Sequence, residues 1–223
     1  MVRKIVNMIV ILGCMMLVSC AAPQFFTITI YESPSRNVRL QTMAVVDEGK
    51  AYSHPVSLSE EQMTQVLKGL YVEVDTSAIS LSFSENSGSG SRRRAFSDRE
   101  IQFFAPLFVK GLQQATPEEI VTFFETVEIS DLHEATTSGG VFVRHEAVHV
   151  VLSNLSVKTL IWKDNAEYHA PYRLAPLDPI NPEPGRLIFE PEKFMVPIQS
   201  AGWLTNLKGK PWQAAVLYKE LHP

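Results

Sequence analysis

The hydrophobic pattern of this chain changes period along its length. After an apolar N-terminal run, the stretch Phe25-Phe26-Thr27-Ile28-Thr29-Ile30-Tyr31 alternates, and Val38, Leu40, Thr42, Ala44 and Val46 alternate with Arg39 and Gln41. A period of two predicts two strands, with Ser33-Pro34-Ser35 as the turn between them. The period then lengthens. Met63, Val66, Leu67 and Leu70 share a helical face, as do Ile101, Phe104, Ala105, Phe108 and Leu112, and then Ile120, Phe123 and Phe124. Each stretch opens on a start signal. Ser59-Glu60-Glu61-Gln62 and Ser97-Asp98-Arg99-Glu100 are capping boxes, with Leu58–Met63 and Phe96–Ile101 as hydrophobic staples. Thr116-Pro117-Glu118-Glu119 is a third, with proline at the first helical position, where its missing N–H costs little. Pro106 is expected to kink or split the second helix.

Beyond residue 125 strand-like runs return, at 127–132, 141–152, 155–162, 186–189 and 212–218. Seven of the 14 prolines fall within residues 171–197, which predicts an extended, loop-rich region. The expected fold is α+β: a mainly antiparallel sheet with about three capped helices in the first half of one domain, residues 25–223.

The N-terminus carries a different message. Arg3 and Lys4 precede a fourteen-residue stretch, 5–18, interrupted by Asn7 and Gly13. That is the size of a secretory apolar core and short for a membrane span. It ends in Leu17-Val18-Ser19-Cys20-Ala21. In these residues the chain resembles the bacterial lipoprotein class, whose lipobox sets a small residue before an acylated cysteine. The resemblance implies removal of residues 1–19 and lipidation of Cys20. It also implies that 20–24 act as a short tether, and that Ala21 directs the protein to the outer membrane, facing the periplasm. One acyl chain anchors weakly, whereas several hold.

Composition then narrows the reading. The 223 residues are 45% hydrophobic and 20% charged, a globular balance. The formal charge is −4, and −6 once Arg3 and Lys4 are removed, which argues against nucleic acid as a partner. Of two cysteines, Cys14 would leave with the signal peptide and Cys20 would be acylated, so no disulfide and no cysteine nucleophile is expected.

The sharpest chemical motif is His145-Glu146-Ala147-Val148-His149, which fits the H-E-x-x-H pattern of zinc metallopeptidases. On a helix both histidines would hold zinc, and Glu146 would activate its water. Glu167 or His169 would supply a third ligand. The flanks, Val141-Phe142-Val143 and Val150-Val151-Leu152, favour strand instead. In a strand, residues four apart are separated by about 13 Å, too far to share one ion. Leu152 and Leu155 also stand where the extended motif needs glycine and histidine. The favoured expectation is therefore two histidines on a partly exposed strand face, with no cofactor.

Two further segments suggest binding. Residues 84–95 read as a flexible Ser/Gly loop ending in Arg92, Arg93 and Arg94, a candidate contact for an anionic polymer or headgroup. The proline-rich stretch, with Tyr168, Tyr172 and Trp203 nearby, is a candidate partner-docking surface. Phe103, Phe104, Phe123 and Phe124 would line an apolar ligand cavity if their helices did not close over it. Nucleophile-elbow, phosphate-loop, dinucleotide and Cys-x-x-Cys motifs are absent from the sequence. The overall expectation is a lipid-anchored binding or assembly module, serving an envelope protein complex, with zinc peptidase as the alternative.

Overall fold

The first two strands pair as a hairpin. In this computed structural model β1 (Phe25–Glu32) runs antiparallel to β2 (Arg36–Thr42), and Ser33 bonds back to Arg36 across the turn. The structure describes residues 25–43, 51–74, 91–161, 170–182, 184–198 and 211–221. The remaining elements are α1 (Glu60–Lys68), β3 (Leu70–Val74), β4 (Ser91–Arg94), α2 (Asp98–Gln114), β5 (Glu119–Ser130), β6 (His133–Arg144), β7 (Ala147–Leu160), α3 (Ala170–Leu174), β8 (Gly185–Phe189) and β9 (Trp212–Leu217). A six-stranded antiparallel sheet has the order β1-β2-β5-β6-β7-β9. A second, three-stranded sheet has the order β4-β3-β8.

The first two capping boxes form in full. The Ser59 hydroxyl accepts from the Gln62 amide while the Gln62 side chain accepts from the Ser59 amide, and Ser97 and Glu100 repeat the arrangement. Helix α2 runs unbroken through Pro106, so the expected split does not occur.

The third box is the main correction. Thr116 and Glu119 do bond to one another, the Glu119 carboxylate accepting from the Thr116 amide at 2.8 Å, but they close a turn from which β5 starts. The physical reason is two-sided burial. Ile120, Val121, Thr122, Phe123 and Phe124 are all buried, because β5 lies inside the sheet with both faces covered. A strand buried on both faces loses its alternation and its apolar run mimics a helical face. The β-branched and aromatic content of Ile120-Val121-Thr122-Phe123-Phe124 then favours the strand.

One face of the large sheet packs on α2, and α1 lies against α2. Phe104 and Phe108 stack at 5.3 Å and both meet Phe123, while Phe96 closes the group. These rings are essentially inaccessible, so the space expected to hold an apolar ligand is filled, and Phe124 projects from the opposite face. Gly111 lets the helix lie close to the sheet, since a Cβ there would come within 2.8 Å of Val121. The opposite face carries a smaller cluster of Tyr52, Ile120, Phe142, Val151 and Leu177. Among the described residues no long helix covers this cluster. It is closed by the segment through Tyr52 and His54 and by the chain after α3.

Strand lengths give the sheet two unlike ends. Phe25 pairs with Thr42 and Thr42 with Glu119, so the start of β1 lies beside the start of β5. The His145-Glu146 turn and Leu217 lie at this same end. At the other end β5, β6 and β7 extend beyond β2 as a three-stranded arm. Glu119 to Ser130 spans about 37 Å at about 3.4 Å per residue. On the helix side of the arm Val127, Ile129 and Leu160 are exposed, and Leu132 caps its tip.

Candidate functional site

The H-E-x-x-H motif sits on a β-hairpin. β6 ends at Arg144, His145 and Glu146 form the turn, and β7 begins at Ala147. Arg144 pairs with Ala147 and Phe142 with His149. His145 has φ 55°, the positive value that two-residue hairpin turns require at their first central position. The Ser53 hydroxyl accepts from its amide at 2.8 Å and fixes the turn. The helical geometry needed for a zinc peptidase is therefore not the geometry adopted, and the β-favouring flanks explain why.

Each motif residue has its own surroundings. Glu146 is exposed and pairs with Lys219 at 2.8 Å, a contact that holds its carboxyl below the usual carboxylate range. His149 is not on a partly exposed face as expected, since only 7% of it is accessible. Its imidazole stacks on Phe142 with ring centres 4.7 Å apart and planes at 9°. Burial, and then the neighbouring charges of Arg144 and His145, push its pKa down to about 4, so the ring is neutral at pH 7. Among the described residues no group of three His, Cys, Asp or Glu side chains comes together as a metal-ligand set. Glu167 and His169 lie outside the described residues.

The aromatic ladder continues past Phe142 to Tyr52 at 4.8 Å and His54 at 5.6 Å, and the Arg144 guanidinium lies over Tyr52. His54 accepts from the Val143 amide at 2.9 Å, and burial lowers its pKa to about 4. Nothing in the local sequence around residues 51–54 signalled this role, because it depends on a contact with β6 about ninety residues away. Beside the ladder is an open cavity of about 330 Å³, bordered by residues 144–147, which include Arg144 and Glu146, and by His149, Val196, Pro197 and Leu217.

The arginine run also differs from expectation. Arg92, Arg93 and Arg94 belong to strand β4, paired with β3, and do not end a loop. Arg92 pairs with Glu190 and lies over the Tyr71 ring, while Arg93 donates to the Leu155 carbonyl at 3.2 Å. Arg94 meets Asp98 at 2.9 Å. The run is thus strand-forming and largely engaged within the protein. Residues 84–90 lie outside the described residues.

Within 171–197 the chain is less irregular than its prolines predict, since α3 and β8 occupy part of it and 192–194 form a 3-10 turn. Arg173 of α3 clamps the β1–β2 turn, binding Glu32 and the Ser33 carbonyl, with its guanidinium over Phe124. Cys20, Tyr168 and Trp203 lie outside the described residues. Comparison of the chain with family models, curated proteins and solved structures finds no match.

Proposed function

We propose that this is a lipid-anchored protein of the cell envelope, held at the outer membrane through acylated Cys20 and facing the periplasm. It acts there as a non-catalytic binding or assembly module. The observation that carries the reading is the order of the N-terminal features: Arg3-Lys4, an apolar segment, and Leu17-Val18-Ser19-Cys20. Strand β1 opening at Phe25 supports it, because 20–24 can serve as a tether and the sheet begins at once. No helix among the described residues is long and apolar enough to cross a membrane, so attachment would depend on the acyl chains.

A tether at Phe25 orients the molecule. The β6–β7 turn faces the bilayer, and the arm points away from it by about 37 Å. Val127, Ile129 and Leu160 then present a small apolar surface to a protein partner in the periplasm, well removed from the anchoring lipid. Glu146 held by Lys219 and His149 stacked in the interior support binding in preference to hydrolysis.

The test is Cys20→Ala. The variant is expected to fold, with an unchanged circular-dichroism spectrum, and to leave washed membranes. Retention of the variant in washed membranes would overturn the anchor.

A further inference from the structure

The cavity at the tethered end of the sheet has features that neither core packing nor lipid anchoring requires. Its volume of about 330 Å³ corresponds to roughly eleven water molecules, and lies near the lower bound of about 300 Å³ for small-molecule sites. Val196, Pro197, Ala147 and Leu217 give it apolar walls. Space is available beside His149 because its cross-strand neighbour is Ala215, which offers only a methyl group. His149 borders the cavity although only 7% of its surface is accessible, and among the described residues no protein group hydrogen-bonds its ring nitrogens. A buried imidazole normally has a partner. Here the unpartnered nitrogens open onto the cavity.

The rim carries charges of both signs. Arg144 and Glu146 both border the cavity, and the Glu146 carboxylate already has a cation, Lys219, at 2.8 Å. An apolar recess with a neutral imidazole in its floor and a guanidinium at its side matches an amphiphile with a small anionic head. We propose that this cavity binds a medium-chain monocarboxylate, with the alkyl part against Val196, Pro197 and Leu217 and the carboxylate between Arg144 and His149. The volume limits the occupant to a medium chain. The site stands on its own geometry.

The experiment is a titration of the purified full chain with butyrate, hexanoate and octanoate. It is done in phosphatidylcholine nanodiscs with empty discs subtracted if the chain fractionates with membranes, and in buffer if it does not. Failure of the anchor is therefore read from fractionation and leaves the titration intact. Affinity is expected to rise about fourfold per added methylene until the cavity is full. Octanamide, of the same length without charge, should bind at least tenfold more weakly. Leu217→Trp should fill the cavity and abolish octanoate binding, and Ala147→Leu should do so if the tryptophan variant does not fold. No octanoate binding above that of empty discs or buffer would overturn the proposal. So would equal affinity for octanamide, or undiminished binding in a folded cavity-filling variant. Preference for the peptide acetyl-Val-Leu over octanoate would make this a chain-terminus pocket and would also overturn it.

Discussion

The two faces of the six-stranded sheet are closed by different means. On one face α2, with Phe96 just ahead of it, brings Phe104 and Phe108 against Phe123, and the interior there is hydrocarbon as far as Glu125, a buried carboxylate that pairs with Arg36. On the other face the cover is irregular chain, and polar residues are buried beneath it. A helix satisfies its own backbone, so what it packs against needs no donors or acceptors. Irregular cover brings unpaired backbone groups, and the sheet must supply partners. Asn154 does this twice, donating to the Asp178 carbonyl at 3.0 Å and accepting from the Ile180 amide at 2.7 Å. The Ser138 hydroxyl donates to the Pro176 carbonyl at 2.8 Å. Among the described residues, the cavity lies on this face beside His149.

The sharpest way to break this contrast is truncation on each face. Phe104→Ala leaves a hole that two rigid helices and a sheet cannot close, and should cost about 3–5 kcal/mol in denaturant unfolding. Leu177→Ala on the opposite face should cost about 2 kcal/mol, the low end for such a change, because its supporting segment can settle into the space. Equal losses would mean that the second face is as tightly set as the first.

Acid separates the faces next. His54 and His149 belong only to the irregular face, and burial lowers each from 6.5 to about 4. The unfolded chain therefore binds protons between pH 6.5 and 4 that the folded chain refuses. Stability is complete above 6.5 and falls as pH drops toward 4, by about 3 kcal/mol for each histidine at 1.36 kcal/mol per pH unit. His54→Gln keeps an acceptor for the Val143 amide and should remove about half of the slope, and His149→Phe the other half. A slope unchanged in both variants between pH 6.5 and 4.5 would exclude the histidines as its source.

How much of this could be read in the sequence depended on range. Ser97 and Thr116 carry the same capping signal, yet only Ser97 starts a helix. The difference lies in the residues downstream of each cap. Ile101-Gln102-Phe103-Phe104 keeps a polar residue on the solvent side, whereas Ile120-Val121-Thr122-Phe123-Phe124 is buried on both sides of a sheet that forms only by tertiary pairing. The motif at 145–149 was legible as strand-favouring from its flanks, but its break into a hairpin was not, because the turn is held by Ser53 from a distant segment. The buried side of His149 depends likewise on Phe142 and on the course of 196–197. Local signals marked the caps and most strand positions. The cavity is assembled from three segments spread over about seventy residues, and no local pattern encodes it.

The smallest effect is expected where the helix face continues uncovered. Val127 and Ile129 lie on the same side of β5 as Val121 and Phe123, but past the last residue that α2 reaches, and are 48% and 52% exposed. Val127→Thr and Ile129→Thr retain β-branching and therefore strand preference, and neither removes a closed contact. Each should shift stability by less than about 0.5 kcal/mol in the same unfolding assay. A loss approaching that of Phe104→Ala would show that the arm packs against a part of this chain outside the described residues. A near-zero loss would leave the arm's apolar surface with no folding role, so that the same face of one sheet would serve stability under α2 and remain available for recognition beyond it.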